Sequence, residues 1–334
     1  MAASFDVVDT EDPFPLVSIL LMAYNQEQTV RGAIAGALQQ TYSPLEIVIS
    51  DDASTDRTFD VMHEVVDAYS GPHRIVLNRN STNLGIGAHF NRLVALSSGT
   101  LMFVAAGDDN SLPDRCRLVV NAWLASGCRL DLIATALVDM DQAGTNQGLI
   151  KPDQLSQYRH ASDWLDKPPY IVGAGHAWSR RLFERFGPLP EDLVAEDQVM
   201  VFRAIISGGA ITLSQALVRY RRGGLSSRQR GATAADVSQR LQKHSWHART
   251  ELQQLLCDAR IAGQADTVRS ALELRLLRET FIQDMFRATN RFDQLKITLN
   301  ASRVSVFVRL RIFVYAAIPI VLAPFFYIKR IVRH

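Results

Sequence analysis

Three short apolar runs, each followed by a polar turn and a stretch of helical spacing, limit this chain more than any other feature. They are Val17 to Met22 (VSILLM), Glu46 to Ser50 (EIVIS) and Leu101 to Ala106 (LMFVAA). Near-continuous runs of this kind suit strands buried on both faces. Helical spacing follows over Glu27 to Gln40, from a cap at Ser54 or Asp56 to Tyr69, over His89 to Leu96 and over Leu118 to Ala125. Further strands are expected at Arg74 to Leu77 and Leu130 to Val138. The alternation predicts an α/β fold with a mostly parallel central sheet and helices on both faces. After Gly148 the pattern is less regular. Helices are expected at Ser179 to Phe186 and Glu196 to Ser207, and a strand at Ile211 to Tyr220. Two amphipathic stretches, Ala234 to Arg260 and Gln264 to Ala288, read as a helical appendage.

The acids fall at telling places. Asp51 and Asp52 end one buried run, and Asp108 and Asp109 end another. In an open parallel sheet the ligand crevice lies outside the carboxyl ends of the strands, so both pairs face one crevice. A single Asp there would simply cap a turn or helix. Two pairs at equivalent strand ends repel each other, and a hard divalent cation such as Mn²⁺ or Mg²⁺ would relieve this while bridging to a diphosphate. No GxGxxG or GxxxxGK[ST] loop follows the first strand, and no Gly-x-Ser-x-Gly elbow occurs, which disfavours dinucleotide, P-loop and serine-hydrolase chemistry. A net charge of +2 gives no case for a nucleic-acid partner. Three scattered cysteines, Cys116, Cys128 and Cys257, suggest neither a disulfide framework nor a zinc site, and fit a reducing compartment.

Several of these segments, taken in order, resemble family 2 glycosyltransferases. They are Val17 to Asn25 (VSILLMAYN), Gln39-Gln40-Thr41-Tyr42, Glu46 to Thr58 (EIVISDDASTDRT), Asn83-Leu84-Gly85, Gly99 to Asp109 (GTLMFVAAGDD) and Pro113. The resemblance covers roughly residues 15 to 228. It implies the GT-A nucleotide-sugar-binding fold and an inverting transferase of the bacterial surface-polysaccharide type. On this resemblance Asp51 or Asp52 would bind the base and ribose, Tyr24 with the backbone at Ala23 would line the base pocket, and Asn25 and Glu27 would bind the nucleotide sugar. Asn83 and Gly107 would belong to the donor site. Asp108 matches the last acid of the family's DxD motif and would bind metal, and Asp109 would contact metal or sugar. The chain departs from the pattern at Ala106, where the first acid of DxD stands, and at Phe90, where many members carry Arg before Asn91.

Ala195-Glu196-Asp197 resembles the family's acceptor-side acid pair. Asp197 would be the general base, with Glu196 beside it, since an acceptor hydroxyl needs a positioned carboxylate to take its proton. Arg221, Arg222 or Arg228 would close over the diphosphate. His176 and Trp178 are expected to be structural. The implied donor is a nucleotide sugar, UDP- or dTDP-linked, the acceptor a glycan or lipid-linked saccharide, and the cofactor a divalent metal. The competing reading is a catalytically inactive scaffold of a polysaccharide assembly complex, which Ala106 favours and Asp108 and Asp197 oppose.

The tail differs from the rest. From Ala301 to His334 there are six Lys or Arg and no acid, and Ile312 to Ile328 runs 17 residues without a charge. That is short of the about 20 residues of a straight spanning helix and is broken by Pro319 and Pro324. A peripheral or re-entrant segment over 304–334, on the cytoplasmic face of the inner or plasma membrane, is expected. The expected divisions are a flexible lead-in (1–15), a GT-A catalytic domain (16–230), a helical appendage (231–300) and a basic, apolar, membrane-associating segment (301–334).

Overall fold

The computed structural model describes residues 14–222 and 234–318. Most of the expected lead-in, Arg228 and the tail beyond Ile318 lie outside the described residues. The first half alternates as β1 (Val17–Ala23), α1 (Val30–Leu38), β2 (Leu45–Asp51), α2 (Thr58–Asp67), β3 (Arg74–Arg79), α3 (Ile86–Leu96) and β4 (Leu101–Ala106). It continues through β5 (Asn110–Ser111), α4 (Arg115–Ala125), β6 (Leu132–Met140), β7 (Asn146–Ile150), α5 (Ala161–Asp166), β8 (Ala177–Ser179), α6 (Arg180–Phe186), α7 (Glu196–Ile205) and β9 (Ala210–Arg221). Four helices close the described chain: α8 (Ala234–Ile261), α9 (Ala265–Arg287), α10 (Arg291–Asn300) and α11 (Val306–Ala317).

The sheet order is β3-β2-β1-β4-β8-β6-β9-β5, with β7 paired to β6. Strands β3, β2, β1 and β4 are mutually parallel, as are β6 and β9. The two parallel groups are joined by β8, antiparallel to both β4 and β6. Sequence spacing assigns Ser179 to a helix and misses β8, because three residues are too few to show a strand period. The same shortness hides β5. Helix α10 and the helix inside the expected tail, α11, also go unassigned by spacing, because both carry apolar residues on two faces.

Every residue of β2 is buried, Glu46 included. Its carboxylate accepts from Ser18 Oγ (2.5 Å), Ser98 N (2.6 Å) and Ser98 Oγ (2.9 Å), and lies 3.4 Å from Arg74. Burial opposes the charge, but these donors outweigh it and hold the Glu46 pKa below its usual value. The strand β2, its neighbour β1 and the turn before β4 are thereby pinned together.

Two apolar layers sandwich the sheet. One holds Ile19, Leu21, Ile47, Ile49, Phe103 and Trp123. The other holds Leu20, Val48, Phe90, Trp178 and Phe202, and continues without a break into Leu252, Leu255 and Leu256 of α8 and Val268 and Leu272 of α9. The helical appendage therefore shares the sheet's own core. A fully buried ion pair fixes the junction: Arg203 of α7 reaches Asp258 of α8 with Nε to Oδ2 at 2.8 Å, and also donates to the Gly187 carbonyl at 2.9 Å. Removing one partner strands the other charge away from water. Asp258→Ala should lower unfolding free energy by about 3–5 kcal/mol in urea titration, and adding Arg203→Met should recover most of that loss.

Candidate active site

The residues expected on the donor side lie on two loops that hydrogen-bond to each other. The turn after β1 gives Asn25 N to Ser54 Oγ (2.9 Å), Gln26 N to Thr58 Oγ1 (2.7 Å) and Glu27 N to Asp56 Oδ2 (3.2 Å). The turn after β2 returns Thr55 N to Asn25 Oδ1 (2.9 Å) and Arg57 N to Glu27 Oε2 (2.9 Å). Asn25 and Ala53 both take positive φ, 52° and 58°, which the reciprocal bonds support. Asn25 and Glu27 thus shape the loop pair. Ala23 is buried at the strand end, whereas Tyr24 is 37% exposed beside it.

The Asp51–Asp52 pair divides its work. Asp52 accepts from Asn80 Nδ2 (2.8 Å), Leu84 N (2.9 Å) and Gly85 N (3.0 Å), so both of its oxygens serve the loop before α3. Asn83 accepts from Gly85 N at 3.1 Å and helps the same turn. Asp51 accepts from Ser54 N (3.0 Å) and lies 3.3 Å from Arg79, but its other oxygen is buried with no partner. Of the two acids, Asp51 is the one with an acceptor to spare.

The second acid pair follows β4. Gly107 lets the β4 and β1 turns close on each other, since a Cβ there would stand 2.5 Å from Gln26 Oε1 and 2.6 Å from the Ala23 Cβ. Burial pushes the Asp108 carboxyl above its usual range, against the pull of Gln26 and Arg221. Burial and then repulsion from Asp108 push Asp109 up to about 8. Asp109 accepts from Arg221 N at 2.9 Å. Behind it lies Arg115, fully buried, donating to Ser111 Oγ (2.9 Å) and to the carbonyls of Ala174 (2.8 Å) and His176 (3.0 Å).

The two expected arginine clamps are placed differently. The Arg221 guanidinium donates to the Gln142 carbonyl and stays near Asp108 and Asp109. The Arg222 guanidinium is forked onto the buried Asp139 at the end of β6, with Nε to Oδ1 at 2.7 Å. In this arrangement Arg222 is an anchor for the end of β9, not a group turned to the crevice. Phe90 is fully buried, its ring centroid 4.7 Å from that of Trp178, so no donor contact comes from that position. His176 is also fully buried, its ring without a hydrogen-bond partner, and burial with Arg115 nearby depresses its pKa to about 3. It stays neutral, as a structural histidine should.

The acid pair expected on the acceptor side lies at the N-terminus of α7. Glu196 and Asp197 are its first two residues. Asp197 Oδ1 accepts from Gln198 N at 2.8 Å, and the Gly173 backbone also bonds to this carboxylate. A Cβ on Gly173 would lie 3.1 Å from that of Asp197, so the segment 173–176 lies directly against the acid pair. Arg115 holds the same segment by its carbonyls, so one buried guanidinium connects the surroundings of Asp109 and Asp197. Burial, then Asp197, raises Glu196 to about 8, and burial raises Asp197 as well.

A third carboxyl, Glu251 of α8, joins them. Two contacts hold α8 against α7 and the turn before it: Thr250 Oγ1 donates to Asp192 Oδ2 at 2.9 Å, and Arg203 pairs with Asp258. Glu251 is thereby set against the start of α7, and burial with the Asp197 charge raises its pKa to about 7. Sequence reading missed Glu251, as it missed Arg115. Each lies in an amphipathic helix where one more charge is unremarkable, and only tertiary packing brings it to the site.

Comparison with known proteins fits this geometry. The model for glycosyl transferase family 2 matches residues 18–187. WfaP of Escherichia coli, a UDP-Glc:α-D-GlcNAc-diphosphoundecaprenol β-1,3-glucosyltransferase, is 34% identical over 94 residues, which take in 28% of this chain and 36% of WfaP. The chain spans about half the length, or less, of most curated relatives that it matches. Among solved structures, Staphylococcus aureus TarS 1-349 in complex with UDP-GlcNAc superposes with a TM-score of 0.54 at 15% identity, covering 90% of this chain and 89% of that one. The mannosyltransferase PcManGT from Pyrobaculum calidifontis, in complex with GDP-Man and Mn²⁺, gives a TM-score of 0.52 at 15% identity, covering 94% and 88%. The structural likeness establishes the GT-A fold, and the family match over half of the sequence establishes that the chain belongs to glycosyl transferase family 2.

Proposed function

We propose that this protein is an inverting glycosyltransferase that moves a sugar from a UDP- or dTDP-sugar to a hydroxyl of a glycan or lipid-linked saccharide. The observation that carries this reading is the pair of separate, at least half-buried acid clusters, Asp108–Asp109 after β4 and Glu196–Asp197 at the start of α7, each with raised pKa values. A donor site needs one cluster and proton removal needs the other. The UDP-sugar named with TarS and the UDP-Glc donor and lipid-linked acceptor named for WfaP support the substrate classes. The unpaired cysteines support a cytoplasmic setting, with the enzyme at the membrane's cytoplasmic face.

On this reading Asp51 receives an N–H of the base through its unpartnered oxygen, beside Tyr24. Among the described residues no group of three or more His, Cys, Asp or Glu is spaced to hold a metal by itself. Two carboxylates that repel each other still fit a divalent ion such as Mn²⁺ or Mg²⁺, which commonly takes one or two protein carboxylates and completes its shell with phosphate and water. Asp108 and Asp109 would hold it, and when bound it would neutralise charge on the departing diphosphate. Asp197, fixed by Gln198 N and Gly173, takes the acceptor proton as the new C–O bond forms at the anomeric carbon and the bond to the diphosphate breaks on the opposite face. Arg221 stays close enough to attract the diphosphate.

Three outcomes follow. Purified protein offered UDP-, dTDP- and GDP-sugars should bind or slowly hydrolyse one class in Mn²⁺ or Mg²⁺ and not in EDTA, and Asp108→Ala should abolish this. No binding to any of them by folded protein would instead support the scaffold reading that Ala106 favours. Asp197→Asn should reduce transfer by about 10²–10⁴-fold with donor binding retained. In the same variant, the carboxyl carbons of Glu196 and Glu251 should titrate at lower pH by NMR, because each loses a neighbouring negative charge.

Stability should also track the raised acids. Asp109, Glu196 and Glu251 bind more protons folded than unfolded between their ordinary values and about 7–8. The stabilisation from keeping them protonated is complete at low pH and is lost as pH rises through that window. Without metal or donor, Tm should therefore be higher near about pH 6 than near about pH 8.5, and Mn²⁺ with donor should flatten the slope.

A further inference from the structure

Helix α10 is built the wrong way round for a helix facing water. Its buried positions include Gln294 and Thr298, 7% and 8% exposed. Gln294 Nε2 donates to the Met285 carbonyl at 3.2 Å, and Thr298 Oγ1 donates to the Gln294 carbonyl at 2.8 Å. Its outer positions carry Phe292, Leu295 and Leu299, 76%, 47% and 66% exposed. These three recur at i, i+3 and i+7, so they form one stripe. Helix α11 repeats the arrangement. Ile312 is buried and Val308 and Phe313 pack with Ile297 of α10 against Phe281, Ile282 and Met285 of α9. Val306, Phe307 and Leu310 face outward, with Phe307 87% exposed.

An exposed apolar surface of this density marks an interaction site in a folded protein. The charge pattern says what kind. Between Arg291 and Arg311 there are five cations, Arg291, Lys296, Arg303, Arg309 and Arg311, against one acid, Asp293. That acid is engaged at the start of α10, where Asn290 Nδ2 donates to it at 2.7 Å. Arg291, Lys296, Arg303 and Arg311 are exposed. An apolar stripe with a cationic fringe complements a lipid surface whose headgroups are negative and whose acyl chains lie just beneath. Among the described residues no helix is long and apolar enough to cross a membrane, and the one-sided apolar stripe of α10 suits a helix lying along a membrane surface.

We propose that the outer faces of α10 and α11, through Phe292, Leu295, Leu299, Val306, Phe307 and Leu310, form a monotopic docking surface for an anionic lipid bilayer. This names the contact behind the membrane placement proposed above and is independent of the transfer chemistry. The surface places the six side chains at headgroup depth, with Arg291, Lys296, Arg303 and Arg311 against the phosphates.

The test is co-sedimentation of the full chain with phosphatidylcholine vesicles containing about a third phosphatidylglycerol, against phosphatidylcholine alone. Binding should favour the anionic vesicles and weaken as salt rises. The triple variant Phe292→Ser, Leu299→Ser, Phe307→Ser should lose at least about tenfold in partitioning, and Arg303→Glu with Arg311→Glu should lose the preference for anionic lipid. These positions are exposed, so a thermal melt should stay close to that of the parent. Unchanged partitioning in the triple variant would overturn the proposal and assign the binding to residues 319–334. No vesicle binding, or a concentration-dependent dimer that the triple variant abolishes, would overturn it in favour of a protein partner. Donor binding measured on the same samples reports separately on the proposed transferase.

Discussion

The site depends on one buried cation. Arg115 sits at the start of α4 with no access to water, and an arginine there must find acceptors or unfold its surroundings. Its acceptors are the carbonyls of Ala174 and His176 and the hydroxyl of Ser111. Satisfying them draws the segment before β8 across the end of β4, and β8 then closes the gap between two groups of parallel strands. The same segment brings Gly173 against Asp197. A single guanidinium therefore links the surroundings of Asp108–Asp109 and Glu196–Asp197, which on the proposed reading flank the path of the transferred sugar.

The parts of this design that were legible in the sequence share a physical cause. β1, β2 and β4 are buried on both faces, so their apolar runs stand out and end where the chain meets the crevice. That is why Asp51, Asp52, Asp108 and Asp109 could be placed at the sheet's carboxyl end from spacing alone. What spacing cannot express is how hydrogen bonds are shared once the chain is folded. Asp51 and Asp52 are adjacent and chemically identical, yet Asp52 is fully engaged by Asn80, Leu84 and Gly85 while Asp51 keeps an unpartnered oxygen. Arg221 and Arg222 are likewise adjacent, and the buried Asp139 fixes the second but not the first. β8, Arg115 and Glu251 leave no local signature, because each acquires its role from residues about 40 or more positions away.

The acids themselves show why such a site is held rather than simply present. Three carboxyls in the described crevice lie well above their usual range, and each is there because burial removes water faster than neighbouring cations replace it. Glu46 behaves oppositely: it is fully buried, but three donors and Arg74 meet it, and its pKa lies below normal. The crevice acids have fewer donors than Glu46, which leaves them with charge to be met from outside the chain.

The clamped pairing of α7 with α8 has a consequence for how such an enzyme can diversify. The segment shared with the family ends at residue 187, whereas Asp197 and Glu251 both lie beyond it, on helices tied together by Thr250–Asp192 and Arg203–Asp258. On the proposed reading, nucleotide recognition and acceptor chemistry then lie on different lengths of chain. Exchange or drift of the C-terminal helices would reshape what the acids at the head of α7 meet, while the strands that carry Asp51 and Asp108 stay as they are. The core that fuses the two lengths is what makes this a constrained modularity, in which a new acceptor pocket must still bury Leu252, Leu255 and Asp258 against the old sheet.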